Sequence, residues 1–512
     1  MASGRRTGTL IVTILAMVGL PVAARQAAVE RLDGSAISPE EIDGTVLRLM
    51  RAAEVTGAGI SIFNRGKVAY SRAYGFRDTQ KKLPLTVDSV MAGASFTKVA
   101  FAYLVMQLVE GGSLELDKPV QAYLPRPLPD YPAYRDLAGD PRYRKITPRM
   151  LLSHTSGFPN YRGLNPDLKL NINFDPGSRY AYSGEGILLL QLVVESITKT
   201  PLKDSMQERV FRPLGMSRTS MVSEERFGDD YANGYDEWQR SLGHPQRNSA
   251  DAAGSMQTTL SDFTRFMQAI MEGKGLRKTT RELMLSPQIA ISSKHQFPTL
   301  EVSTGEENKA IHLSYGLGWG LYWSPYGKAF FKEGHDEGFR NYTAVFDKPK
   351  AGILIMTNSS NGEGMFKELL ETLIRNTFTP IEWEGYTPYN ALPPRQALPA
   401  HTEIALDAKL LDRLVGRYSP SPNLVLVVTR KGDHLSVQEN DEAPQEVFPE
   451  AELRFFSKAS DDVLTFDLDS QGRVTRMVIH TGGRDIPVSR VESILAAPDS
   501  RRTAYGRPLR NP

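Results

Sequence analysis

Two residues at the start of an apolar segment have the types and the spacing of a nucleophile and its base. Ser95 and Lys98 lie three positions apart in MAGASFTKVAFAYLVMQLVEGG (residues 91–112), which predicts a helix beginning at about Ser95. Residues at i and i+3 share a helix face, so the hydroxyl and the amine can meet. A serine needs a base to attack at neutral pH, and a desolvated lysine is one. The helix N-terminus would also stabilise an oxyanion.

The same spacing recurs at Ser196 and Lys199. That second pair closes an apolar helix, at the end of the helix dipole that disfavours an anion. The local context therefore favours Ser95 as the nucleophile.

Two further side chains are candidates for proton transfer. Tyr182 lies on a tight turn before an apolar helix, and a phenol held by cations can share a proton with the lysine. His335 lies on a glycine-flanked strand edge (GHDEG) and suits proton handling or substrate orientation. A packing role is the alternative for both residues. His154, in HTSG, is predicted to be structural, and without carboxylates at ligand spacing no metal site is predicted.

The elements that must position these residues indicate an α+β fold. Alternating apolar runs at residues 59–63 and 67–74 predict a β-hairpin, and strand patterns return from Tyr315 onward. Apolar helical segments lie between them. We therefore expect an antiparallel sheet built from both ends of a domain spanning residues 40–383, with a helical part inserted.

The rest of the chain divides into smaller parts. A proline-rich linker is predicted at residues 384–405, followed by a small all-β barrel-like domain at 406–492 and a disordered basic tail at 493–512. Residues 1–24 have the two arginines, apolar run and small residues of a signal peptide, and 25–39 form a lead-in. We expect export across the inner membrane to a periplasmic or extracellular location, with an N-terminal membrane tether as the alternative.

Composition excludes several classes of function. The chain has no cysteine, which excludes disulfides, cysteine nucleophiles and thiolate metal sites. Its formal net charge is only +2, and nothing in the charge pattern indicates a nucleic-acid partner. No cofactor is predicted. The expected partner is a small-molecule or peptide substrate, with a cell-wall origin as one option; the oligomeric state stays open.

The joint pattern resembles a known family. Ordered along residues 40–380, the motifs are SFTK, LLSHTSG, PGxxYxYSGxG, PLGM, AAGSMQTTLSD and YGLGWG…GHDEG. This order is similar to that of the serine β-lactamase-like family, which includes class C β-lactamases, D-alanyl-D-alanine carboxypeptidases, D-aminopeptidases and esterases. The C-terminal unit resembles the lipocalin-like β domains often appended to this family. It either covers the cleft or acts as an interaction module.

The resemblance implies roles for individual residues. It implies Ser95 as the acylated nucleophile, Lys98 as its base and Tyr182 as general base or acid. It places the family's strand motif at His335, Asp336 and Glu337. It also implies an oxyanion hole formed by the N–H groups of Ser95 and Gly338.

Two residues depart from the family pattern. Gly184 stands where relatives usually have an asparagine, and Glu337 where they usually have a glycine. Both changes count against hydrolysis of β-lactams, which present an amide and a carboxylate. We therefore expect a hydrolase of neutral or cationic esters or amides, including D-amino-acid peptides. A catalytically weak penicillin-binding-like module and a true class C-like β-lactamase are the alternatives.

Overall fold

The computed structural model describes residues 28–165, 167–393, 400–421, 424–439, 444–458, 460, 462–481 and 484–491. The predicted signal peptide (1–24) and the predicted tail (493–512) lie outside these ranges. No helix within the described ranges is long and apolar enough to cross a membrane.

The larger unit combines a nine-stranded antiparallel sheet with helices, as predicted. Its strands, in chain order, are β1 (Val29–Glu30), β2 (Ala36–Ile37), β3 (Gly57–Asn64), β4 (Lys67–Asp78), β5 (Leu83–Pro84), β6 (Met91–Ala92), β7 (Gly234–Tyr235), β8 (Ser241–Gly243), β9 (Gln257–Thr258), β10 (Ile289–Ala290), β11 (Ser314–Tyr315), β12 (Gly320–Ser324), β13 (Gly327–Asp336), β14 (Phe339–Phe346) and β15 (Ala351–Thr357). The main sheet runs in the order β10-β11-β12-β13-β14-β15-β3-β4-β5. Early and late strands of the unit therefore meet where β15 pairs with β3.

Ten α-helices accompany the strands within the described residues. They are α1 (Pro39–Ala52), α2 (Phe96–Glu110), α3 (Pro148–Leu152), α4 (Gly184–Thr198), α5 (Leu202–Met206), α6 (Arg212–Leu214), α7 (Leu260–Glu272), α8 (Lys278–Met284), α9 (Phe366–Ile374) and α10 (Ala408–Leu414).

The helices on the two faces of the sheet differ in how much of their surface is buried, because their apolar residues are distributed differently. In α1, the Ser38 and Glu41 side chains form a capping box, and only one face, with Ile42, Val46 and Leu49, is buried. In contrast, α2 is apolar on nearly all sides and is buried along most of its length. A helix that is hydrophobic all round belongs in the interior. Thus α2 passes through the core of the unit, with its first turn at the sheet.

The smaller unit is a closed antiparallel barrel. Its strands are β16 (Gly416–Ser421), β17 (Leu424–Lys431), β18 (His434–Glu439), β19 (Gln445–Ala451), β20 (Arg454–Ser457), β21 (Val463–Leu468), β22 (Val474–Thr481) and β23 (Arg484–Arg490). Pairing of β16 with β23 closes the barrel. Leu411 and Leu414 of α10 join its apolar core.

Residues at both ends of the predicted linker, 384–405, pack against the two units. Trp383 and Tyr386 pack into the core of the larger unit, and Glu384 is buried there. At the other end, the His401 ring stacks on Phe456 of the barrel at 4.5 Å. The prolines predict a linker, but aromatic side chains at both ends of the proline-rich stretch pack against apolar surfaces, which removes them from water.

Candidate functional site

Helix α2 begins at Ser95, which occupies the N-cap position with φ −67° and ψ −2°. The preceding Ala94 has φ +48°, in the left-handed region that residues other than glycine seldom adopt. Asn341 of β14 donates to the carbonyl of Ala92 at 2.9 Å, and Gly93 donates to Met256 O at 2.7 Å. The backbone on both sides of the serine is therefore held by the sheet and by β9.

Lys98 points back toward the nucleophile from the first turn of α2. Its Nζ lies 3.0 Å from Ser95 Oγ and donates to the carbonyl of Ala253 at 2.5 Å. The side chain is 1% exposed. Burial, aided by the positive charge of Lys332, lowers the pKa of Lys98 from 10.5 to about 7. A substantial fraction of this amine is therefore neutral near pH 7 and able to accept a proton.

Tyr182 is the third predicted residue that the fold brings to Ser95. Its side chain is 2% exposed, and the Lys98 Nζ, which contacts Ser95 Oγ, lies 5.0 Å from the centre of the Tyr182 ring. Burial and the charge on Glu333 raise the pKa of Tyr182 well above its ordinary value. Tyr182 is therefore protonated in the resting protein.

His154 supports Tyr182 from behind. Its ring centre lies 4.4 Å from that of Tyr182, and its Nδ1 accepts the Ser183 N–H at 3.1 Å. Burial lowers the pKa of His154 well below its ordinary value, so the ring is neutral. These contacts agree with a structural role, as the sequence context predicts.

Gly184 is explained by its neighbours in the loop after α3. A Cβ at this position would lie 2.9 Å from Asn160 O and 3.0 Å from Tyr161 Cε1, closer than packed atoms allow. The Gly184 N–H donates to Asn160 Oδ1 at 3.0 Å. The Arg162 guanidinium clamps this loop onto Glu185 of α4 through bonds of 2.8 and 2.7 Å. The space for a side chain at 184 is therefore already filled.

The predicted strand motif of His335, Asp336 and Glu337 lies at the end of β13 and in the turn that follows. His335 faces the cleft, and burial and the Arg340 guanidinium lower the pKa of this histidine. Glu337 is exposed at the cleft edge, where partial burial and the charges of Asp336 and the barrel residue Asp462 raise its pKa.

Gly338, for which the resemblance implies an oxyanion-hole donor, has its N–H bound to another residue in this structure. Its N–H donates to Ser360 Oγ at 3.2 Å, and its φ of +71° places it in the turn after β13. A Cβ there would lie 2.6 Å from Gly234 Cα. The residue therefore serves a close backbone crossing, while the Ser95 N–H remains as the predicted donor at the start of α2.

A cavity of about 280 Å³ opens beside Ser95. Its polar lining comes from separate parts of the chain: Ser95, Tyr161, Arg247, Asp251, His335 and Asp336. The Arg247 Nη2 lies 2.5 Å from Asp336 Oδ2 across one wall. The Asp251 carboxylate accepts N–H groups of Ala253 and Gly254, which also places it near Lys98. Acidic groups thus outnumber the one arginine along this lining.

Sequence reasoning missed Lys332, which is fully buried on β13. Its Nζ donates to Tyr182 Oη at 3.1 Å and forms an ion pair with Glu333. The signal was present, because a Lys-Glu pair inside the apolar run KAFFKEG must find buried partners. Asn160, Arg247 and Asp251 carried no such signal.

The described residues contain no group of three or more His, Cys, Asp and Glu side chains arranged to hold a metal ion. The two histidines considered from sequence lie in different places: His154 is buried, and His335 lines the cleft.

The chain matches the β-lactamase family model over residues 42–374 and a domain of unknown function, DUF3471, over residues 400–490. It is 24% identical over 456 residues to penicillin-binding protein 4* of Bacillus subtilis (strain 168), covering 82% of this chain and 92% of that protein. It is 29% identical over 234 residues to esterase EstB of Burkholderia gladioli, covering 40% of this chain and 57% of that protein. The octameric penicillin-binding protein homologue from Pyrococcus abyssi superposes with a TM-score of 0.56 at 20% identity, covering 88% and 100% of the two chains. The structural likeness concerns the fold alone.

Proposed function

Because this chain belongs to the β-lactamase family of serine hydrolases, we propose that it hydrolyses neutral or cationic esters or amides, D-amino-acid peptides included, through an acyl-enzyme on Ser95. The observation that carries the proposal is the 3.0 Å contact between Ser95 Oγ and the buried amine of Lys98. Burial holds the pKa of that amine near 7, which suits a general base at neutral pH.

The roles of the three residues follow from their protonation states. Neutral Lys98 accepts the Ser95 proton as Oγ forms a bond to the substrate carbonyl carbon. The tetrahedral oxyanion lies at the N-terminus of α2, where the Ser95 N–H donates to it. Protonated Tyr182 donates to the leaving oxygen or nitrogen as the bond to carbon breaks, and it recovers a proton from the Lys98 ammonium. Water then attacks the acyl carbonyl carbon and gives a proton to Lys98. The ester bond to Ser95 Oγ breaks, Oγ takes the proton back, and the acid product leaves.

The choice of neutral or cationic substrates rests on the cleft. Asp251 and Asp336 line the cavity and Glu337 stands at its edge, while Arg247 is engaged with Asp336. A substrate carboxylate would meet net negative charge there. Asn160 and Tyr161 fill the volume next to Gly184. The substrate therefore finds no side-chain amide at position 184, where the family usually has an asparagine. Both features support esters and amides over β-lactams.

Export is part of the same proposal. It rests on the apolar run of residues 10–22, which follows Arg5 and Arg6. Replacing Leu10 to Ala16 by charged residues should keep the protein inside cells that otherwise release or display it. Accumulation outside the inner membrane in spite of that change would contradict export by this segment.

A fluorophosphonate probe with mass spectrometry of the adduct tests the nucleophile. The probe should label Ser95, and Ser95→Ala should abolish labelling and turnover. Ser196→Ala is the matched control, because Ser196 has the same spacing to a lysine and is also buried. Full labelling of the Ser95→Ala variant would overturn the assignment.

A substrate panel tests the preference. We expect turnover of p-nitrophenyl esters or D-amino-acid p-nitroanilides and little hydrolysis of nitrocefin. Nitrocefin hydrolysis faster than ester hydrolysis would instead support a class C-like β-lactamase.

A binding module is the second candidate, and one observation favours it. With the Gly338 N–H bound to Ser360, one of the two predicted oxyanion donors is engaged elsewhere. Such a protein would form a penicilloyl adduct on Ser95 that persists without turnover. Release of acid product from any member of the panel, in amounts exceeding the enzyme, would exclude this candidate.

A further inference from the structure

Three charged residues are buried together behind Tyr182. Lys332 and Glu333 lie on β13, and Glu384 lies on the segment after α9; they are 0%, 4% and 3% exposed. A charge in such a place is costly unless it is paired or neutralised. One cation faces two acids here, so the protonation of the second acid decides whether the cluster is neutral.

The first acid is satisfied by charged and polar partners. Lys332 Nζ donates both to Glu333 Oε1 and to Tyr182 Oη, the latter at 3.1 Å. Gln296 Nε2 lies 3.4 Å from the same Glu333 oxygen. Both contacts satisfy the hydrogen-bonding capacity of Glu333 Oε1.

The second acid has an oxygen without a partner. Glu384 Oε2 accepts from Tyr342 Oη at 2.8 Å, but Glu384 Oε1 is buried without a hydrogen bond from any described residue. The side-chain carbonyl oxygen of Gln296, Oε1, is also buried without a hydrogen bond from any described residue. Their segments adjoin, since the Gln296 N–H donates to Trp383 O at 2.8 Å. Two unpaired acceptors on adjoining segments are explained if one of them is a donor, as a protonated carboxyl is.

The surrounding electrostatics agree. Burial and the charge of Glu333 raise the pKa of Glu384 well above its ordinary value. The titratable rings that face the cluster from neighbouring elements have pKa values shifted so that they stay neutral: Tyr180, Tyr182, Tyr315, Tyr342, Tyr386 and His154. Of the neighbouring amines, Lys98 belongs to the catalytic centre, and burial lowers the pKa of Lys332 while Glu333 opposes that shift.

We propose that Glu384 is a neutral carboxylic acid in the folded protein, so that Glu333 alone balances the Lys332 ammonium behind Tyr182. An ammonium has three donors and no acceptor, so Tyr182 must offer it a lone pair. The Tyr182 hydroxyl proton then points away from the Lys332 ammonium. Glu333 and Glu384 are positioning residues: they fix the charge of Lys332, and Lys332 fixes the direction in which Tyr182 donates. The kinetic consequence rests on the proposed acyl transfer at Ser95.

Infrared difference spectroscopy tests the protonation of Glu384 without using activity. The carbonyl stretch of a protonated carboxylic acid lies above the amide band. We expect it in the wild type between about pH 6 and 9, and expect its loss in Glu384→Gln. An identical spectrum for wild type and Glu384→Gln would overturn the proposal, even in a protein whose Ser95 proves unreactive.

The two glutamine variants should also differ in kinetics, because only one removes a charge. Glu384→Gln replaces a neutral donor by another neutral donor, so we expect kcat/KM within about twofold of wild type and an unchanged melting temperature. Glu333→Gln leaves Lys332 unbalanced and removes a negative charge near Lys98. It should lower kcat/KM about tenfold or more and move the acidic limb of the pH profile to lower pH.

Equal shifts of the acidic limb in both variants would show that Glu384 carries charge, which would overturn the proposal. An unchanged limb in Glu333→Gln would overturn the link between the cluster and catalysis. Failure of the wild type to react with any ester or fluorophosphonate would count against the proposed function alone.

Discussion

The two Ser-x-x-Lys sequences of this chain end in opposite environments. Ser95 caps the N-terminus of α2 beside a buried amine, whereas Ser196 lies in the last turn of α4, and its hydroxyl donates to Tyr123 O at 2.8 Å. Lys199 is exposed at the helix end with φ +55°. It is the N-terminal end of helix α4, where Tyr182 and Gly184 lie, that is near Ser95 and Lys98. Spacing alone is therefore insufficient: a serine–lysine pair becomes reactive when the helix end favours an anion and burial lowers the pKa of the amine.

Lys98→Met should produce the largest effect. It removes the general base but keeps an apolar side chain in the buried site, so acylation by p-nitrophenyl acetate should slow by about 100-fold to 10,000-fold. The matched variant Lys199→Met should react at the wild-type rate, because Lys199 lies on the surface. Equal rates for Lys98→Met and wild type would break the comparison between the two pairs.

The pH dependence should follow the same lysine. Acylation should rise with pH through an inflection near 7, where the Lys98 amine loses its proton, and Lys98→Met should lack that inflection.

The stability of the protein should also depend on pH through Lys98. Folding lowers the pKa of Lys98 from 10.5, so between about pH 7 and 10.5 the unfolded chain binds more protons than the folded one. The contribution of Lys98 to stability therefore increases with pH across that window and is smallest below it. Urea unfolding of wild type and Lys98→Met at several pH values measures the free energy of unfolding of wild type minus that of the variant, and a fall in this difference with rising pH would contradict the prediction.

Gly184→Ala should disturb the end of α4 that faces the first pair. The added Cβ would meet Asn160 O at 2.9 Å and Tyr161, which should cost about 1–3 kcal/mol of stability in chemical denaturation. Gly163→Ala is the control in the same loop, because a Cβ at Gly163 has no atom within 4 Å. Equal stability of the two variants would mean that the loop yields to the added methyl group.

Phe297→Ala should have the smallest effect. The Phe297 ring, 43% exposed, lies 5.7 Å from the Tyr182 ring and screens it from solvent. Its loss should lower kcat/KM for aryl esters by about twofold to tenfold, the size of one aromatic contact. Phe76→Ala removes an equally exposed ring on β4, a strand that carries none of the three proposed catalytic residues, and it should leave kcat/KM unchanged. A similar loss in both variants would indicate a general effect on folding.

Much of the fold was predictable because its signals are local. The hairpin at residues 59–74 and the end of α2 at Gly111 and Gly112 were predicted from turn and stop residues, and the structure has both. The burial of Trp383 and Tyr386 could not be predicted, because they contact residues distant in sequence that no local pattern reveals. The close approach of Gly338 to Gly234 and its bond to Ser360 are likewise long-range.

The sequence by itself determined the fold class, the family motifs and the preference for Ser95 over Ser196, because helix direction and residue spacing follow from chain order. Only the tertiary structure decided the state of those residues. Lys98 acquires a pKa near 7 because Ala253, Lys332 and the surrounding core come from distant segments to remove its water. Lys332, Glu333 and Glu384 meet behind Tyr182 for the same reason. Desolvation depends on everything that packs around a group, and that information exists only in the folded chain.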